Sequence, residues 1–399
     1  MSERPPASDW ATDFDHTDPR WVENPFPIWD EMRQQCPIAH TNRFRGVYFP
    51  SRYEDVRAIA YDTTHFSSRR VVVREQRVEN PIPVPPITSD PPAHTPARKL
   101  LLPAFSPNAI KKLEPLTRKL CNELLDAIVG RERCDAAVDY AQHIPVRVIA
   151  HMLGIPESDG DMFRAWIHEI LDESITEYDN NNNDGAEERD EMLDYFRAQV
   201  AQKQLQRGDD LISFLLDARI DGQPLSAPHL FGTLRLILIA GIDTTWSAIG
   251  ASLWHLASQP ADRARLVAEP ALMPTAVEEL LRAYAPVTMA REIVKDVEIN
   301  GCPMKAGNMV LLPFPSANRD PEMFPDADKV VLDRQENRHA AFGLGIHRCL
   351  GSNLARMEVT VALEEWLKRI PEFRLADPAA VTWSRGTVRG PRKLPVVLG

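Results

Sequence analysis

The chain has 399 residues and carries 46 Lys plus Arg against 57 Asp plus Glu, a net charge of −11, which disfavours nucleic acid or an anionic membrane as its main partner. Its five cysteines, at positions 36, 121, 134, 302 and 349, are odd in number and lack C-x-x-C spacing, so a disulfide framework is not expected and a reducing compartment is. Residues 1 to 25 have neither the cationic start nor the apolar core of a signal peptide or membrane anchor, which makes a soluble, cytoplasmic protein the expectation.

No Gly/Ser-rich tether, repeat or composition shift divides the chain, and a polar segment 1–24 followed by a single domain 25–399 is expected. Apolar periodicity predicts helices near 25–36, 52–60, 108–129, 141–153, 158–176 and 187–207, with more from 210 onward. Strands are short: Ile38–Pro50, Arg291–Val294, Val297–Ile299, Met309–Leu312 and segments near the C-terminus. Residues 69–92 carry Arg69, Arg70, Arg74 and Arg77 and then six prolines. A structureless span of that length reads as a lid or binding loop, although a solvated excursion has the same composition. Tyr178–Arg189, with four consecutive asparagines among acids, reads as a connection that cannot pack.

From Ser226, a plausible N-cap followed by Pro228, a helical pattern runs to about Ser258. Arg235, Asp243 and His255 interrupt its apolar character and argue against a membrane span. Its centre, Gly241-Ile242-Asp243-Thr244-Thr245, places a glycine, a carboxylate and two β-branched hydroxyls where helix formers belong. A threonine bonded to its own i−4 carbonyl would explain Thr244 alone. The whole constellation predicts a loosened turn with a hydroxyl and an acid aimed into an apolar cavity, a means of delivering protons to a bound oxygen species. Further on, Glu279 and Arg282 stand three apart, the spacing of a helical surface ion pair; Arg334 and Asn337-Arg338-His339 raise the alternative of a buried network.

Cys349 lies in Ala341-Phe342-Gly343-Leu344-Gly345-Ile346-His347-Arg348-Cys349-Leu350-Gly351, just before a helical pattern from Ser352 to Leu367. Nearby cations, backbone N–H groups and a helix N-terminus all favour a thiolate. The glycines are expected where the backbone must approach a large flat ligand. A lone cysteine is ordinarily a small buried hydrophobe, but that does not require a glycine-rich turn carrying His347 and Arg348. One thiolate is too few for zinc and is what haem needs. Gly343 to Arg348 begins like a dinucleotide fingerprint but lacks its third glycine and acidic partner.

The segment resembles the F-G-x-G-x-H-x-C-x-G haem signature of the cytochrome P450 family at every fixed position, and Ala240-Gly241-Ile242-Asp243-Thr244 is similar to its oxygen-activation motif. The resemblance runs from about Asn24 to the C-terminus and implies a mainly α fold with a small β portion and a long central helix over haem b. It implies Cys349 as axial iron ligand, with Phe342, Gly343, His347 and Gly351 around the cofactor and His94, Arg98 and Arg291 on its propionates. Asp243 is implied to relay protons and Thr244 to hydrogen-bond on the oxygen side. Glu279 and Arg282, with Arg334, resemble the family's structural lock. Ile82, Val84, Ile87, Leu236, Ile239, Ala240, Val287, Thr288 and Met289 are implied as substrate pocket.

The implied activity is a monooxygenase that uses O2 to hydroxylate or oxidatively dealkylate a small apolar organic substrate, as a monomer. Electrons would come from a 2Fe-2S ferredoxin and its ferredoxin reductase, docking near Lys99, Lys111, Lys112, Arg348 and Arg356. A peroxide-driven enzyme and a non-catalytic haem or ligand-binding sensor are the alternatives. A thiol hydrolase fits poorly, because Cys349 and His347 sit two apart on a tight turn.

Overall fold

A computed structural model describes residues 5–74, 83–170 and 190–399. The helix Ala227–Ser258 runs for 32 residues through the middle of the protein. The Ser226 hydroxyl caps it by accepting from the His229 N–H, as the sequence predicts. Length and composition would let it cross a membrane, yet most of its apolar stretch is buried in protein, because a helix through a core is apolar all round. Against it pack helices His143–Leu153 and Ser352–Arg369. Gly241 sets the first crossing: a Cβ there would lie 2.5 Å from Ile149 Cδ1.

A five-stranded sheet lies beside this helical mass, in the order Ile38–Thr41, Val47–Pro50, Met309–Pro313, Thr288–Ile293, Phe66–Ser67. The first two form a hairpin pairing Ala39 with Phe49, and Met309–Pro313 joins parallel to Val47 and antiparallel to Thr288–Ile293. Residues 5–24 lie on this sheet: Phe14 and Trp21 pack with Phe49, while Arg43 pairs with Asp13 and Asp15.

Several predicted elements have different bounds. The expected strand Ile38–Pro50 is a hairpin, broken by a turn in which Phe44, Arg45 and Gly46 take φ of 54°, 64° and 91°. The 108–129 pattern splits into Pro107–Lys111 and Glu114–Asp126, because the Pro115 ring excludes the Lys111 carbonyl from a continuous helix. The 158–176 and 187–207 patterns appear as Gly160–His168 and Glu191–Leu205; the Tyr178–Arg189 connection lies outside the described residues.

Glu279 and Arg282 form no surface pair, since both are fully buried. All five Arg282 donors are used: two on Glu279 and three on the carbonyls of Asn318, Ala327 and Lys329. Glu279 also accepts from Val331 N at 2.8 Å, Arg334 Nε at 3.0 Å and Asn337 Nδ2 at 3.1 Å. One carboxylate thus ties the helix Met273–Ala283 to the chain leading into the Cys349 loop. Glu279→Ala, which strands two guanidiniums, is expected to cost roughly 3–5 kcal/mol in denaturant unfolding; a loss below about 1 kcal/mol, the range of exposed pairs, would contradict the lock.

Candidate functional site

The thiol loop is held from three sides. The Cys349 N–H donates to the Phe342 carbonyl at 2.6 Å, and Arg98 Nη2 donates to the Arg348 carbonyl at 2.6 Å. Arg356 stacks on the Phe342 ring at 4.4 Å while its guanidinium grips Glu278. Gly345 does not make room for a flat ligand as the sequence suggested. Its φ is +69° and a Cβ would sit 2.3 Å from the Ala60 carbonyl oxygen, so its task is to seat the loop on helix Tyr53–Tyr61. Gly351 fits the expectation better: a Cβ there would meet only Cys349 Sγ, at 3.9 Å.

Cys349 has accessible surface although protein atoms surround it, so it faces an internal space. Burial raises its thiol pKa, against the pull of the Gly351 N–H and of Arg98, Arg348 and Arg356. Across that space, Ala240 is exposed at mid-helix while Ile237, Leu238 and Ile242 are buried. Leu236, Ala240 and Thr244, four apart, form one face with accessible surface. Leu350 and Leu354 share an apolar cluster with Ile239 and Ile242, so the loop and the helix centre border one chamber.

Four basic side chains gather beside the thiol. His94 and Arg291 are buried, and His94 and Arg98 stand one turn apart on helix His94–Leu101. The His347 and His94 rings meet edge to face at 4.4 Å, and His347 Nε2 lies 2.9 Å from Ser68 Oγ. Burial, with Arg291, His94 and Arg98 adding repulsion, drives the His347 pKa down to about 3. Burial also lowers Arg291 to about 10. Asp90, the neighbouring carboxylate, is engaged by Ser67 and Ser68, and His94 Nε2 has no hydrogen-bond partner among the described residues. A cluster of desolvated donors with so little counter-charge fits a cofactor bearing two carboxylates next to a metal taken by one sulfur.

The helix centre departs from expectation twice. It is regular through Gly241–Thr245, and the Thr244 hydroxyl donates to the Ala240 carbonyl at 2.8 Å, which satisfies the side chain without loosening the turn. Asp243 does not face the chamber. It is fully buried and pairs with Arg392 of strand Pro391–Lys393 at 2.8 Å, and Arg392 stacks on Trp246 at 4.6 Å.

Of the predicted pocket residues, Val84, Ile87, Leu236, Ile239, Val287, Thr288 and Met289 are half-buried, and Ile82 lies outside the described residues. Thr288 and Met289 also line a cleft with Val71, Val73, Thr387 and Arg389. Lys99, Lys111, Lys112 and Arg348 are exposed, whereas Arg356 is committed to Glu278 and leaves the set of free surface cations. Sequence reasoning missed Arg392, Ser68 and Glu358. Glu358 is a fully buried acid whose pKa burial lifts far above normal, with the Thr245 hydroxyl pulling the other way. Its signal was a glutamate on the inward face of the helix that follows the thiol.

The Cytochrome P450 family profile matches residues 143–378. The mycinamicin IV hydroxylase/epoxidase of Micromonospora griseorubida is 34% identical over 379 residues, covering 92% of this chain and 94% of that protein. A Bacillus megaterium P450 crystallised with testosterone superposes with a TM-score of 0.84 at 33% identity, over 94% of this chain and 97% of that one. A myxobacterial P450 in complex with myristic acid gives 0.82 at 31% identity, over 96% and 98%.

The Glu278 grip on Arg356 has a pH signature. Burial alone would raise this carboxyl, but Arg356 and His339 outweigh it and hold its pKa at about 2. Unfolded, the group binds protons near its ordinary value, so stability is present above that value and lost as pH falls through about 2. Glu278→Gln is expected to flatten this part of the stability–pH curve; an unchanged slope in thermal melts between the two values would contradict the assignment.

Proposed function

The chain belongs to the cytochrome P450 family, and we propose that Cys349 would hold the iron of its haem b as a thiolate, with Thr244 and Asp243 serving the oxygen side. The observation that carries this reading is the cluster of His94, Arg98, Arg291 and His347, short of anions, beside a thiol that faces an internal chamber. Haem b is the family's cofactor, and the activity is that of a monooxygenase. When bound, it supplies the redox chemistry that places one atom of O2 in the substrate and reduces the other to water.

The protein's own part is positional. Residues 25–399 act as one haem domain. Cys349 Sγ would hold the iron as its thiolate, and the Gly351 N–H and the Arg98, Arg348 and Arg356 charges would support that anion against its burial. Arg98, Arg291, His94 and His347 hold the two carboxylates. Because the Thr244 proton is committed to the Ala240 carbonyl, its oxygen presents lone pairs to the chamber and can hold a water by accepting from it. Asp243 takes part in proton transfer when its pair with Arg392 parts, and Arg392 is the partly exposed member that reaches toward solvent.

The apolar face Leu236, Ile239 and Ala240, with Val84, Ile87, Val287, Thr288 and Met289, supports a small apolar organic substrate for hydroxylation or oxidative dealkylation. Relatives that act on mycinamicin IV, or were crystallised with testosterone or myristic acid, agree with an organic substrate. A ferredoxin, reduced by its reductase, is the proposed electron donor, docking on the exposed cations Lys99, Lys111, Lys112 and Arg348, none of which is engaged in an ion pair among the described residues.

Cys349→Ser is expected to retain the fold but lose the red-shifted band of a thiolate-ligated ferrous carbonyl complex; an unchanged band would remove Cys349 from the iron. Thr244→Ala is expected to leave reduction intact while product per electron falls about tenfold and hydrogen peroxide rises. Full coupling in that variant, or turnover with hydrogen peroxide and none with ferredoxin, would transfer the assignment to a peroxide-driven enzyme.

A further inference from the structure

The interior arginines can be sorted by what neutralises them. Arg282 has Glu279, Arg392 has Asp243, Arg263 has Glu372, and Arg33 has Asp30 and the Ser316 carbonyl. Arg98 and Arg291 belong to the cofactor cluster described above. Arg69 and Arg70 share Glu292. Arg74 is half-buried and has no hydrogen-bond acceptor or carboxylate among the described residues.

Its place is set from both sides. The Val71 carbonyl accepts from the Ala290 N–H at 2.8 Å, which fixes this stretch alongside the pocket strand Thr288–Ile293. Val73 is buried among Phe49, Met309 and Leu311, so in extended chain the next side chain turns the other way, off the sheet. On that side it feels the charge of Arg235 on the central helix, which adds to burial in lowering the Arg74 pKa. Arg235 pairs with Asp190. It stands one residue before Leu236 on the helix, close to where Pro83 and Pro85 lie across Gly232 and Thr233. Among the described residues, two guanidiniums and one carboxylate leave a single surplus positive charge beside the apolar face that begins at Leu236, an arrangement that costs free energy until an anion arrives.

We infer that the substrate carries a carboxylate and that Arg74, seconded by Arg235, receives it. This deepens, and rests on, the haem monooxygenase reading. One surplus charge and a planar donor fork suit a monovalent, planar carboxylate, which binds bidentately, better than a dianionic phosphate. Salt-bridged at one end, the apolar remainder of the substrate lies along the Leu236–Ala240 face, so Arg74 is a specificity-determining residue.

The test uses ferric holoenzyme and a panel of alkanoic, arylalkanoic and terpenoid acids, each matched with its primary amide, read as displacement of the low-spin spectrum. Wild-type protein is expected to bind its best acid at least about tenfold more tightly than the matched amide. Arg74→Gln should abolish that preference while leaving amide binding unchanged, and Arg74→Lys should keep part of it. Acids and amides binding alike to wild type, no acid shifting the spectrum, or Arg74→Gln weakening both equally would each overturn the inference. The ferrous carbonyl band, recorded on every variant, separates these outcomes from a failure of the haem reading, which would remove the thiolate signature from wild type itself.

Discussion

Charge withdrawn from water must meet its opposite, and that constraint organises the centre of this protein. Glu279 gathers Arg282, Arg334, Asn337 and the Val331 N–H around one carboxylate. The lock works because every donor of Arg282 is occupied, leaving no orphaned group to offset the Coulombic gain. From that anchor the chain runs to Phe342, where Arg356 stacks on the ring and takes Glu278, and so the thiol is placed. Where the compensation among the described residues is incomplete, around His347 and Arg291 and again at Arg74, we place the cofactor's carboxylates and the substrate's.

Much of this was legible beforehand, and for identifiable reasons. The glycine-rich turn around Cys349 and the Ser226 cap are local, and local chemistry is written in neighbouring residues. The Glu279 network was half legible. Spacing alone gives a surface pair, and only the basic and amide residues further along hinted that the acid would be buried. The hairpin within 38–50 was hidden because Phe44 and Arg45 are poor markers of a left-handed turn.

What escaped the sequence was long-range. Nothing near Asp243 announces that its partner is Arg392, and its expected direction, into the chamber, was therefore wrong. Gly345 was assigned to the ligand when the Ala60 carbonyl explains it. Arg356 was counted as a surface charge because its engagement with Glu278 depends on how two helices meet. In each case the residue type was read correctly and the neighbour was not, since neighbours from distant segments are supplied by packing.

The Asp243–Arg392 pair has a consequence for how the chain is made. The two residues are 149 positions apart, and synthesis at about 5–20 residues per second puts on the order of ten seconds between their appearances on the ribosome. Through that interval the nascent helix carries an acid without its arginine, and sealing it from water would either forgo the compensation Arg392 supplies or force the carboxyl to take up a proton. Closing the middle of the molecule around a charged Asp243 therefore costs less once the strand Pro391–Lys393 has arrived with its arginine.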